Sequence, residues 1–270
     1  MREPYGGISV QSRAFPRLSY LNNQRFTNSQ IWEAIGTIRN NMRLKILKAI
    51  EITSEEQWKQ VAPPMGKEKQ CKEGRSFMSF AKFMLDKKHR KDLGNVLKEL
   101  GYDTRGEISC FPETVTGLPG IGNGRNHDLL MIGEDFVVGI EAKVTEPFGN
   151  KTIAGEYKGA SENKRRRIDT LVNDLFRHEV NENVWLLRYQ LLTGVVGTLY
   201  EAKRNVKSKA LFLVIVFTDT IEGKEITKAN RNNKDFADFC QQLGMDKDGG
   251  QIRIMDVELT IKKIEVSLKQ

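Results

Sequence analysis

The chain is expected to be an α/β protein, a mixed central β-sheet flanked by helices, with a mostly helical N-terminal region. Three observations lead there. The first hundred residues carry helical spacing, short extended segments alternate with helical ones after Gly106, and ALFLVIVF at 210–217 is an apolar run of buried-strand length. The chain has 270 residues, with 39% hydrophobic and 29% charged, which suits a packed globule. No apolar run reaches the roughly 18 residues of a membrane span. The N-terminus MREPYGGISVQSRAF lacks an apolar h-region, so a cytoplasmic protein without a secretory signal is expected. Cys71, Cys110 and Cys240 lie far apart with no CxxC pattern, which argues against structural zinc and against a disulfide framework.

Three regions are expected: residues 1–50 as a basic arm and helix, 51–105 as a helical region packing on the core, and 106–270 as the core itself. In IWEAIGTIRNNMRLKILKAIEI, Ile31, Ile35, Ile38, Met42, Ile46 and Ala49 line one helix face. Ser54 is placed to cap EEQWKQVA, which ends at Pro63-Pro64. GRSFMSFAKFML (74–85) and HRKDLGNVLKELGY (89–102) predict two more helices, the second stopping at Gly101. EISCFPETV reads as extended and GLPGIGNGRN (117–126) as a glycine-rich loop. HDLLMIG and FVVGIEAKV flank Glu134-Asp135 as a hairpin. Residues 162–180 and 184–205 predict helices, the latter with a stripe of Trp185, Tyr189, Leu192, Val196 and Leu199. KDFADFCQQLG predicts a helix and VELTIKKIEVSL a last extended segment.

Formal net charge is +8. Residues 1–50 hold Arg2, Arg13, Arg17, Arg25, Arg39, Arg43, Lys45 and Lys48 against Glu3 and Glu33. A second block, ENKRRRID at 162–169, contains Lys164, Arg165, Arg166 and Arg167. Such clusters are either solvated surface or contacts for phosphates. Arg39, Arg43 and the 164–167 block are the candidate nucleic-acid contacts.

Side chains alternate across a strand, so Glu141 and Lys143 share a face with Val137 and Gly139, while Phe136, Val138, Ile140, Ala142 and Val144 feed a core. Burying unpaired charges there would cost several kcal/mol, so they require compensation. Asp128 opens the neighbouring strand, and hairpin pairing brings it toward Glu141 and Lys143. Two carboxylates in one cleft make a hard oxygen site suited to Mg²⁺, with Mn²⁺ able to substitute. Lys143 beside the metal can orient a water and stabilise charge on a phosphate, a set suited to phosphodiester hydrolysis. An acid-x-lysine triplet is common and recurs at Glu201–Lys203 on a helix. Only the copy at 141–143 lies on an apolar strand behind an aspartate-led one. A buried Glu141–Lys143 salt bridge is the structural alternative.

These residues resemble the PD-(D/E)XK nuclease superfamily, the restriction-endonuclease-like fold. Asp128 matches its first acid and Glu141-Ala142-Lys143 its triplet, with His127 where a proline is usual. QWKQVAPP, EGRSFMSFAKFML, GNGRNHDLLMI, EAKVTEPFG and LRYQLLTGVVGTLYEA further resemble a group of uncharacterised bacterial members. The resemblance implies a restriction-endonuclease-like core over 106–270, a divalent metal on Asp128 and Glu141, and catalysis by Asp128, Glu141, Lys143 and an upstream acid. Glu113 is assigned that last role, with Glu107 its competitor. Glu146 follows the site strand as a supporting group or a loop cap. Gln190 matches a glutamine that some members place on the following helix. Arg125 and Arg188 stand as phosphate contacts or ordinary salt bridges, and His127 as a partner of Asp128 or a packed ring. The implied activity is a Mg²⁺-dependent endonuclease acting on double-stranded DNA as a homodimer or higher homo-oligomer, in restriction or phage defence. The alternative is a non-catalytic or partner-dependent DNA-binding module. Residues 1–50 are then a DNA clamp, a dimer arm or an inhibitory segment. No P-loop, dinucleotide fingerprint or nucleophile elbow competes with this reading.

Overall fold

The computed structural model describes residues 43–46, 50–63, 71–72, 74–177, 180–219 and 224–269. Among these residues one mixed sheet of eight strands runs in the order β2-β1-β3-β4-β5-β6-β8-β7. The strands are β1 (Arg43–Ile46), β2 (Ile50–Glu51), β3 (Ser109–Thr116), β4 (Arg125–Ile132), β5 (Phe136–Lys143), β6 (Lys209–Phe217), β7 (Gly249–Ile254) and β8 (Val257–Val266). β3, β4 and β5 form an antiparallel meander. β5, β6 and β8 run parallel, and so do β1 and β3.

Helices cover both faces. On one lie α1 (Glu55–Val61), α2 (Ser76–Leu85) and α3 (Lys87–Glu99). Trp58, Phe80, Phe83 and Leu97 there share a core with Leu129, Val138, Ile140, Leu211, Leu213 and Ile215 of the sheet. These three helices therefore share one core with the sheet. The other face carries α4 (Ile153–Lys158), α5 (Glu162–Phe176), α6 (Glu182–Leu186), α7 (Tyr189–Arg204) and α8 (Lys224–Gln242). Leu171, Leu192, Val196, Phe236 and Phe239 pack there against Val137, Phe212, Val214, Leu259 and Ile261. β5 and β6 have helices on both sides, which is why their sequences are almost continuously apolar.

Local signals account for the boundaries. Ser54 Oγ accepts from the Gln57 amide and opens α1. Asp86 does the same for His89 and opens α3. Gly101, at φ +83°, lets the chain leave α3 in a left-handed turn.

Three expectations need correction. The helix read through residue 52 is not helical at Arg43–Ile46 and Ile50–Glu51, which are strands. β1 adds to the edge of β3, and sheet pairing overrides the helical spacing. The rest of that helix and the arm, Arg39 included, lie outside the described residues. The single helix read over 184–205 is two, because Leu187 and Arg188 are extended. The Leu187 carbonyl takes the Ile153 amide, and the Tyr189 amide donates to Lys151 O. Finally, β7 was not anticipated. It joins β8 through a two-residue turn at Met255 (φ 51°) and Asp256 (φ 65°), a left-handed pair usually announced by Asn-Gly.

α7 lies close on the sheet because small residues face it. A Cβ on Gly194 would come within 2.6 Å of the Phe212 ring, and one on Gly197 within 2.8 Å of Thr116 Oγ1. On the sheet side, a Cβ on Gly139 would come within 2.2 Å of Thr198 Oγ1 and 2.9 Å of the His127 ring. Gly139→Ala is expected to cost about 1–3 kcal/mol in urea unfolding, because neither neighbour can withdraw. Gly159→Ala has nothing within 4 Å and a negative φ, and is expected to stay within about 1 kcal/mol of the wild type. Equal effects at the two positions would contradict this account of the α7 contact.

Candidate functional site

The strand register sets up the site. Pro112 pairs with Leu129 and Thr114 with His127, so Glu113 stands opposite Asp128. Leu129 pairs with Ile140, and one step along the same register puts Asp128 opposite Glu141. Three acids therefore occupy one transverse row on three adjacent strands. Lys143 lies two residues further along β5, on the Glu141 face.

The row coincides with a slip in side-chain alternation. Phe111 packs in the core beneath α7, and Thr116 Oγ1 lies against Gly197 of α7, yet the two are five residues apart. His127 packs against Gly139, Gly197 and Phe212 on that same face, although Leu130, three residues on, also belongs to it. Regular strands would place residues an odd number apart on opposite faces. Both strands thus lose one step between these points, and Glu113, at φ +47°, is the left-handed residue in β3. In β4 the Asp128 carboxylate accepts the Ala142 amide at 2.6 Å, standing in for a backbone acceptor beyond the last ladder pair.

Glu141 is only 3% exposed and Lys143 6%. Glu141 Oε2 is paired with Arg125 Nη2. Glu141 Oε1 takes Lys143 Nζ at 2.7 Å and Gln190 Nε2 at 2.8 Å. Gln190 Oε1 in turn accepts from Lys143 at 3.4 Å, and the ammonium lies 5.6 Å from the Phe148 ring centre. Burial works to raise the Glu141 carboxyl, but Arg125 and Lys143 outweigh it and hold it below the usual range. The other two acids go the opposite way. Asp128 keeps part of its surface open but is closely surrounded; burial, then the Glu141 charge, push it up to about 7 against the pull of Lys143. Glu113 is raised to about 9 by burial first and Asp128 second, although Asn126 Nδ2 donates to it at 2.7 Å.

The other expected residues divide clearly. Gln190 reaches the site from the first turn of α7. Glu146 takes the amides of Val144, Thr145 and Ser76, so it caps the loop after β5 and ties it to α2. His127 makes no hydrogen bond to Asp128. Both its ring nitrogens lack partners among the described residues, and burial lowers it to about 3, so it is a neutral packed ring. Arg188 is buried and paired with Asp235 at 2.8 Å, away from the acids' hydrogen bonds, so it is no free phosphate contact. Arg167 is a correction to the basic block. It is buried and donates to the carbonyls of Pro119 (3.0 Å) and Asn123 (2.7 Å), holding the glycine-rich loop. Its helix turns it inward while Lys164 pairs with Glu156, Arg166 pairs with Glu162, and Arg165 lies over Tyr157. Arg43 is in β1, far along the sheet order from the triplet strand. Asn126, which anchors Glu113, was not singled out from the sequence; its place two residues before Asp128 was the available cue.

A hard divalent cation fits the donor chemistry of this row. Asp128 and Glu113 repel each other and Glu141, and among the described residues Asn126 Oδ1 is a buried acceptor without a partner. The observed arrangement is closed by ion pairs, however. Among the described residues no group of three or more His, Cys, Asp or Glu side chains is drawn together tightly enough to hold a metal ion.

The raised carboxyls fix the sign of the pH dependence. Unfolded, both titrate near about 4. Between there and about 7 for Asp128, or about 9 for Glu113, the native protein binds more protons than the unfolded chain, so stability falls as pH rises. The urea midpoint of the metal-free protein is expected to decline across this range, and to decline less in the Glu113→Gln/Asp128→Asn double variant. An unchanged slope in that variant would disprove the clustering of the acids.

No helix of the described residues is long and apolar enough to cross a membrane. No curated protein and no solved structure matches the chain. A family described as a domain of unknown function, DUF6946, matches residues 51–268, which takes in the whole row of acids and both helical layers. That match covers most of the sequence, and the chain belongs to the DUF6946 family.

Proposed function

We propose that the chain is a divalent-metal-dependent nuclease that hydrolyses DNA phosphodiester bonds, with a restriction-endonuclease-like core. One observation carries the reading: Glu113, Asp128 and Glu141 share a transverse row on adjacent strands, with Lys143 Nζ 2.7 Å from Glu141. Asp128 and Glu141, with Glu113 beside them, are the residues that would hold Mg²⁺ or Mn²⁺. The ion would supply a Lewis acid for the phosphate and a more acidic bound water. Lys143 is one of the chain's own two cations at this point, beside Arg125. Buried and held by Glu141 and Gln190, it is oriented to hydrogen-bond an attacking water and to offset charge growing on phosphate oxygens. Gln190 positions both the lysine and the acid. A homodimer suits cutting both strands with one such site per chain. A role in restriction or phage defence rests on the sequence resemblance alone.

A second reading, a DNA-binding module without turnover, is favoured by the ion pairs that saturate Glu141 and by the lack of a tight metal-ligand group among the described residues.

Supercoiled plasmid incubated with Mg²⁺ or Mn²⁺ is expected to be nicked or linearised, and to remain intact in EDTA. Glu141→Gln and Lys143→Met are each expected to lower the rate about 10²–10⁴-fold. Salt-sensitive DNA binding with no cleavage in either metal would favour the second reading. Gln190→Ala is expected to lower turnover about 10–100-fold through the positions of Glu141 and Lys143. Full activity in that variant would remove Gln190 from the site.

A further inference from the structure

We infer that Arg125 is an internal counter-ion that occupies the Glu141 carboxylate until a divalent cation displaces it. The inference rests on the metal-dependent reading above. Arg125 Nη2 pairs with Glu141 Oε2, the oxygen that Lys143 and Gln190 leave free. Its side chain is 12% exposed and that of Glu141 4%, so the pair is screened little by water. Among the described residues Arg125 Nε is buried without a hydrogen-bond partner, so the guanidinium is incompletely satisfied where it sits. Lys143, in contrast, has two oxygen partners and the Phe148 ring.

Electrostatics gives the two cations different tasks. Arg125, Lys143, Glu113, Asp128 and Glu141 face one another across β4 and β5 and the neighbouring β3. With Arg125 in place, Glu141 is paired with two cations, and a dication entering beside it meets guanidinium and ammonium together. Moving Arg125 away exposes Glu141 Oε2 and removes one repelling charge. Arg125 directly follows the glycine-rich loop 117–124, so the displaced side chain has an open margin of the sheet to swing toward. There it becomes an unpaired planar cation next to the metal, suited to a phosphate. Arg125 is thus a positioning residue that links metal entry to anion capture.

The test titrates the metal alone into the full chain. Mn²⁺ binding is measured by calorimetry for the wild type, Arg125→Gln and Glu141→Gln. Arg125→Gln is expected to bind Mn²⁺ about tenfold tighter or more, the effect of removing one close competing charge, and Glu141→Gln to lose binding. A second measurement needs no variant. Phenylglyoxal modification of Arg125 in the wild type, read by peptide mass spectrometry, is expected to rise several-fold on adding Mn²⁺. Equal or weaker binding in Arg125→Gln, with binding still lost in Glu141→Gln, would overturn the counter-ion role and leave the metal site standing. Arg125 staying protected while Mn²⁺ binds would overturn it in the same way. No Mn²⁺ binding by either the wild type or Arg125→Gln would overturn the inference together with the metal-dependent reading.

Discussion

The burial of the Glu141 charge is the constraint on which the centre of this protein turns. A carboxylate at 3% exposure on a strand covered on both faces would be forced to protonate if left alone. Three side chains prevent it: Arg125 from β4, Lys143 from β5 and Gln190 from α7. Each comes from a different element, so the charge fixes how the hairpin and the helix meet. The close seating of α7, allowed by Gly194 and Gly197 against the sheet and by Gly139 beneath it, is what brings Gln190 within reach. Removing both cationic partners would leave an uncompensated buried charge, whereas none of the apolar contacts around it has that leverage.

The compensation is uneven, and the unevenness is informative. Glu141 is held ionised, while Asp128 and Glu113, on the next two strands, are pushed toward their neutral forms. A protein needing only stability would have little reason to set three acids in one row and supply cations to one of them. The slip in alternation at Glu113 and Asp128 adds to the argument, since a left-handed Glu113 in the middle of a strand is backbone strain of the kind that gathers at functional sites.

Much of this was legible in the sequence, for identifiable reasons. The hairpin turn at Glu134-Asp135, the face shared by Glu141 and Lys143, the capping Ser54 and the stop at Gly101 follow from local rules, and the structure agrees with each. Asp128 and Glu141 could be placed together because a two-strand register is nearly fixed by its turn. What escaped was non-local. β1 looked helical because only its pairing with β2 and β3 makes it a strand. β7 escaped because Met255-Asp256 gives no composition cue for its turn. The inward turn of Arg167 and the pairing of Arg188 with Asp235 depend on which side of a helix meets the sheet and on a residue far along the chain. Arg125 was visible as a cation near the site, but its bond to Glu141 needs the slipped strand that carries it.

The loop of residues 117–124 carries one more consequence. Four glycines in its eight positions could suggest a floppy tether, yet Arg167 clasps the carbonyls of Pro119 and Asn123 while Arg204 clasps that of Gly117 at 2.6 Å. Its backbone freedom is surrendered during folding, inside the molecule, by two guanidinium groups. A molecule arriving at that margin therefore meets a surface already frozen in shape, with Ile121 held outward at 77% exposure. Association there forfeits little chain entropy, and its speed is set by encounter and fit in place of loop rearrangement.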